Sequence, residues 1–171
     1  MPRVRIDSAH GVIPSARFVV VIVRTDAGLE GLGEASPELV WTGEDLQSCW
    51  NCIRNFLAPA LEGHEALHIQ GALDRMDAVI AANPYAKAAV EMALWDIAGK
   101  AAGSPLAELW GGRVRERVAV KFVVSGPAER AGDMARQVLD EGFRYIKIKT
   151  GLKVKEDIAR VRAVREAVGA D

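Results

Sequence analysis

The chain has 171 residues, half of them hydrophobic and about a quarter charged, with 22 basic against 23 acidic side chains and a net charge of -1. Those proportions are those of a folded domain and exclude a disordered or low-complexity chain. So even a balance, with no basic stripe, also excludes nucleic acid and anionic membrane surfaces as partners.

The longest apolar run, residues 18–23, is far shorter than the ~20 residues a membrane helix requires, and the N-terminus lacks the apolar stretch of a signal peptide. Two cysteines do not make a disulfide framework and fit a reducing compartment, so a cytoplasmic location is expected.

In chain order, residues 4–6 and 18–24 read as strands around a loop, 10–17, that carries Gly11 and Pro14. Thr25-Asp26-Ala27-Gly28 reads as a turn, because Asp and Gly tolerate left-handed backbone. Residues 29–34 then return, which predicts a three-stranded antiparallel meander. Gly31-Leu32-Gly33-Glu34 lacks the lysine and helix start of a phosphate loop and reads as a strand bend. Trp41, Thr42 and Glu44 fall in an irregular segment.

From Glu44 the apolar residues Leu46, Cys49, Trp50, Ile53, Phe56 and Leu57 recur at three and four, with Thr42 or Gly43 near the start of that helix and Pro59 near its end. A second helix is expected over 66–80. A third, beginning near Pro84 and running through Ala98, is so rich in alanine that it should pack closely on its neighbours. Gly103-Ser104-Pro105 breaks the helical pattern, Gly111-Gly112 punctuates a connection, and the domain boundary is expected near Gly112. Beyond it the period alternates: strand 118–124, helix 128–141, strand 145–149, helix 155–168. Two βα units with short loops imply parallel strands.

Within the second of those strands, Ile146-Lys147-Ile148-Lys149 alternates apolar and cationic residues, so both lysines point one way and both isoleucines the other. One reading is an edge strand guarded by solvated lysines. In a parallel sheet covered by helices, though, strands normally read as unbroken apolar runs. A barrel accommodates the pattern, with isoleucines under the helices and lysines at the C-terminal mouth. Two ammonium groups a few ångströms apart disfavour each other's charge, so one can fall from about 10.4 toward neutrality and act as a base. Such a base suits removal of a proton α to a carboxylate, and a divalent metal is the usual electrophile for the charge that develops.

Two zinc patterns compete for the histidines. His64-Glu65-Ala66-Leu67-His68 matches the H-E-x-x-H motif of metallopeptidases, but it begins just after Gly63 and no third ligand is identifiable. Cys49 and Cys52 with His64 and His68 approximate a zinc finger, one residue short between the pairs, yet the cysteines fall inside a helical pattern where a finger needs a hairpin. So short a motif as H-E-x-x-H arises easily by chance, and small buried thiols with surface histidines are the expected account of the finger pattern.

Gly31-Leu32-Gly33-Glu34-Ala35, residues 86–97 of the alanine-rich helix, Pro105-Leu106 with Leu109-Trp110-Gly111-Gly112, and residues 142–151, in that order and spacing, resemble the enolase superfamily, in its mandelate racemase and muconate lactonizing enzyme branch. The resemblance covers nearly the whole chain. It implies an α+β capping domain, residues 1–112, followed by the first two βα units of a TIM-like (β/α) barrel, residues 113–171.

It further implies Lys149 as the base that moves the proton α to the substrate carboxylate, through an enediolate, with Lys147 as the neighbour that lowers its pKa. Racemization, epimerization, cycloisomerization and elimination all belong to that chemistry. The cofactor implied is Mg²⁺, with its acidic ligands on barrel strands beyond Asp171 and none within the chain. Cap loops select the substrate in such enzymes, which makes Arg17, Trp41 and Thr42 candidate contacts to a small carboxylate, and a homo-oligomer is expected.

Only two of eight βα units are present, so the sequence reads as a truncated chain, inactive alone. The alternatives at this point are a non-catalytic assembly module that pairs its exposed strands with another chain, and a zinc-binding protein.

Overall fold

A computed structural model describes residues 6–8, 11–13, 16–151 and 153–169, the first two stretches as backbone alone. The chain forms two compact units, one of residues 16–114 and the other of residues 115–171 together with 1–15.

At the N-terminus β1 (Ile6–Ser8) pairs antiparallel with β2 (Gly11–Ile13), Ile6 opposite Ile13 and Ser8 opposite Gly11. The expected strand at 4–6 therefore has two positions, Val4 and Arg5, outside the described residues, and Gly11–Ile13 is strand where a loop was expected. Gly11 suggests a break, but it stands at the strand end, and the β-branched Val12 and Ile13 favour extended backbone.

In the 16–114 unit, β3 (Val19–Arg24) and β4 (Glu30–Ala35) form a hairpin in register from Val19 with Ala35 to Arg24 with Glu30. The turn closes as its residues predict: Gly28 takes a left-handed φ of 81°, and the Thr25 hydroxyl accepts a bond from the Leu29 N–H at 3.0 Å. Among the described residues the antiparallel pairings form two separate two-stranded ladders and not the expected three-stranded meander.

A single turn of helix, α1 (Leu39–Thr42), stands where irregular chain was expected. Gly43, with φ 79°, closes it by donating to the Leu39 carbonyl. The next helix starts at Asp45 and not at Thr42 or Gly43, because Asp45 and Ser48 form a reciprocal capping box, with Ser48 N–H to Asp45 Oδ1 at 2.7 Å and Asp45 N–H to Ser48 Oγ at 2.8 Å. It runs as α2 (Leu46–Cys52), a π-helical turn (Ile53–Leu57) and α3 (Ala58–Leu61).

Then come α4 (Ile69–Val79), α5 (Pro84–Ala102) and the short α6 (Leu106–Leu109). The alanines of α5 have a specific purpose. Ala86, Ala89 and Ala93 are fully buried, and β4 lies so close that a Cβ on Gly31 or Gly33 would collide with the Ala93 or Ala89 carbonyl. The glycines expected to mark a bend are thus the places where strand and helix backbones meet. Cys49, Cys52, Leu57, Ala72 and Met76 complete this core. Asp96 and Lys100 secure the same join from outside: the Asp96 carboxylate accepts the Leu32 N–H at 2.8 Å, and Lys100 reaches the Glu30 carbonyl at 2.6 Å.

In the other unit, β5 (Lys121–Val124) pairs parallel with β6 (Tyr145–Ile148), Phe122 opposite Ile146 and Val124 opposite Ile148. The expected strand from 118 begins three residues later, since Val118 and Val120 are exposed and unpaired in any ladder among the described residues. Helices α7 (Ala128–Asp140) and α8 (Val154–Val168) pack on each other and on the pair, enclosing Val124, Ala131, Ala135 and Val164, with Ile146 and Ile148 against them. Among the described residues no helix is long and apolar enough to cross a membrane.

Candidate active site on the second parallel strand

Alternation along β6 decides which side chains are available for chemistry. Ile146 and Ile148 pack on the helix side, whereas Lys147 is exposed and Lys149, one residue past the strand, is half-buried. The two lysines therefore leave the face turned away from α7 and α8. Lys149 extends the ladder, its N–H donating to the Val124 carbonyl at 2.9 Å.

Behind it stands an ion pair with a buried arginine, which the sequence pattern announces only weakly. Arg160, on α8 and 3% exposed, donates through Nη1 to the Lys149 carbonyl at 2.9 Å and to Asp157 Oδ1 at 2.7 Å, and through Nε to the Gly126 carbonyl at 2.6 Å. Asp157 Oδ2 accepts the Gly151 N–H at 2.8 Å. The one available signal is a charged residue four positions before the buried Val164, on the apolar stripe of its helix.

Arg17, Trp41 and Thr42 lie in the other unit. Arg17 is exposed on the chain just before β3; Trp41, 71% exposed, and Thr42 sit on α1. Since Val19 pairs with Ala35, the segments carrying them leave the same end of the hairpin. Thr42 Oγ1 lies 3.3 Å from Glu44 Oε2, and Glu44 is itself buried at 4% exposure. Its carboxylate accepts the N–H groups of Tyr85 and Ala86 at 2.9 and 3.1 Å, capping α5, whose preceding residue Asn83 offers no side-chain cap. The same carboxylate accepts the Cys49 thiol at 3.4 Å. A depression of about 1120 Å³ in this unit is lined largely by apolar residues such as Val21, Val23 and Leu94, with Arg24, Arg54 and His64 also on its wall.

Neither zinc pattern assembles. Helix α4 starts at Ile69, so His64 and His68 lie in the turn before it and not one helical turn apart; their rings stack at 5.7 Å, and His64 Nε2 is 3.0 Å from the His68 carbonyl. Cys49 and Cys52 are buried inside α2. Among the described residues no group of three or more His, Cys, Asp or Glu is arranged to hold a metal, so the residues present do not fit Mg²⁺ either.

Residues 2–111 match the family described as mandelate racemase / muconate lactonizing enzyme, N-terminal domain, and residues 130–171 match the enolase C-terminal domain-like family. The chain is 38% identical over 164 residues to the N-succinyl-L-Arg/Lys racemase of Bacillus cereus, covering 95% of the chain and 44% of that protein. With the L-Ala-D/L-Glu epimerase of Bacillus subtilis it shares 38% over 166 residues, or 95% and 45%. A crystal structure of the dipeptide epimerase from Cytophaga hutchinsonii, complexed with Mg and the dipeptide D-Ala-L-Val, superposes with a TM-score of 0.91 at 32% identity, over 98% of this chain and 45% of that one. The chain thus spans less than half the length of the relatives it matches.

Proposed function

The chain belongs to the mandelate racemase / muconate lactonizing enzyme branch of the enolase superfamily, and from that premise we propose that the whole protein moves the proton α to a substrate carboxylate. In this reading residues 1–112 are the capping domain and residues 113–171 the start of the (β/α) barrel. The observation that carries it is the alternation at β6: Ile146 and Ile148 pack against the helices, while Lys147 and, one residue past the strand, Lys149 occupy the intervening positions at its C-terminal end. That is the end at which barrel enzymes place their chemistry.

Lys149 is the base. Its amine takes the α-proton from one face of the substrate, leaving an enediolate, or returns a proton to that same face, with Lys147 as its neighbour. Arg17, Trp41 and Thr42 are the substrate contacts: a guanidinium matches a carboxylate bidentately, and an exposed indole covers an apolar group. The relatives named as racemases and epimerases of N-succinyl amino acids and dipeptides make an N-acylated amino acid, dipeptides included, the preferred substrate class. Mg²⁺ is the cofactor of the proposed enzyme, held by residues other than those described, and it supplies electrophilic stabilisation of the carboxylate when bound. A cytoplasmic location and a homo-oligomer accompany this reading.

The test is exchange in D₂O. Incubated with Mg²⁺ and a panel of N-succinyl amino acids and dipeptides, the whole protein should place deuterium at the α-carbon of at least one, seen by NMR. Absence of α-exchange across carboxylates of every class in the family's repertoire would contradict the reading.

A further inference from the structure

Lys149 is held by its backbone on both sides. Its N–H is bonded to Val124 of β5 and its carbonyl to Arg160 of α8, so neither backbone polar group of that residue is left to reorient in water. The same guanidinium takes the Gly126 carbonyl, two residues past β5, and its partner Asp157 takes the Gly151 N–H, three residues past β6. One ion pair therefore ties down the C-terminal exits of both strands. Taking a guanidinium out of water is costly unless its donors are met, and packing α8 on the sheet would be served as well by an apolar residue. What an apolar residue could not do is hold the carbonyls at 126 and 149 at fixed separation.

We propose that Arg160 and Asp157 are positioning residues for Lys149, fixing its peptide so that the ammonium is presented on the face of β6 turned away from α7 and α8. The inference rests on Lys149 as the base, and its test separates the two.

In the whole protein, Lys149 and Lys147 are labelled in competition with a trace of acetic anhydride at fixed pH, and the ratio of their labelling is read by mass spectrometry. The variants are Arg160→Lys, which keeps a charge but loses the two-carbonyl fork, and Asp157→Asn, which keeps an acceptor for Gly151. Val164→Ala, on the same helix stripe, is the control that loosens packing alone. In variants that retain native circular dichroism, the Lys149 to Lys147 ratio should change at least ~3-fold for Arg160→Lys or Asp157→Asn and stay constant for Val164→Ala. On a substrate that the wild type exchanges, kcat should fall ~10²-fold with little change in KM, the scale of an ångström's misplacement. An unchanged ratio in a folded variant, or an equal change in Val164→Ala, would show a purely structural pair and overturn the proposal. Full exchange by Lys149→Ala would instead remove the base assignment while leaving the labelling result to stand.

Discussion

Gly33 of β4 lies so close to Ala89 of α5 that a Cβ on it would stand 1.8 Å from the Ala89 carbonyl oxygen. The obstacle is backbone, which cannot swing aside as a side-chain end can, so strand and helix would have to part. Gly33→Ala should cost about 3 kcal/mol, the upper end for overpacking, read as a lower urea midpoint at unchanged slope. Gly43→Ala, with nothing within 4 Å but a left-handed φ of 79°, should cost only about 1–2 kcal/mol. Equal losses at the two sites would contradict the close approach.

The buried Glu44 carboxylate and the two free thiols form one local system. Burial, and then the hydrogen bond and charge of Glu44, push the Cys49 thiol up from 9.0 to about 12. Burial is also the main cause of the rise at Cys52, where Glu44 adds and Lys87 opposes. Neither thiol should react with an aromatic disulfide reagent at pH 8 until the protein unfolds, whereupon both should. Because the folded value lies above the unfolded one, this contribution to stability is complete below 9.0 and falls as pH rises toward 12. Glu44→Ala should cost about 2–4 kcal/mol by orphaning the Tyr85 and Ala86 N–H groups, and rapid native labelling of Cys49 in the wild type would contradict the burial described.

Asp96 is held below its ordinary value of 3.8, first by the Lys100 ammonium and then by the Leu32 N–H. A depressed carboxylate stabilises the fold above its unfolded value and loses that contribution as pH falls through the lower, folded one. Asp96→Asn should therefore flatten the decline in urea midpoint between about pH 5 and about pH 2. An acid limb as steep as the wild type's would remove Asp96 from that dependence.

The elements legible in the sequence are those whose period is long enough to count. Helix α5 is visible in its alanines, and the isoleucine and lysine alternation of β6 correctly names the side that packs on the helices. Four-residue α1 has no period to read, and its end at Gly43 resembles the start of the next helix until the Asp45 and Ser48 capping box is seen. Gly31 and Gly33 announce a special backbone position, but only the α5 carbonyls say that it is a close approach. Arg160 and Asp157, three residues apart on a helix, look like a solvated surface pair. The burial of Arg160 is met by carbonyls 34 and 11 residues away, which local pattern does not encode.

The central claim is that the amine of Lys149 moves the α-proton, and α-proton exchange by Lys149→Ala in the whole protein tests it most directly. With the fold intact by circular dichroism and Mg²⁺ present, exchange at saturating substrate should fall ~10²-fold to 10⁴-fold relative to wild type. Exchange at the wild-type rate would contradict the account.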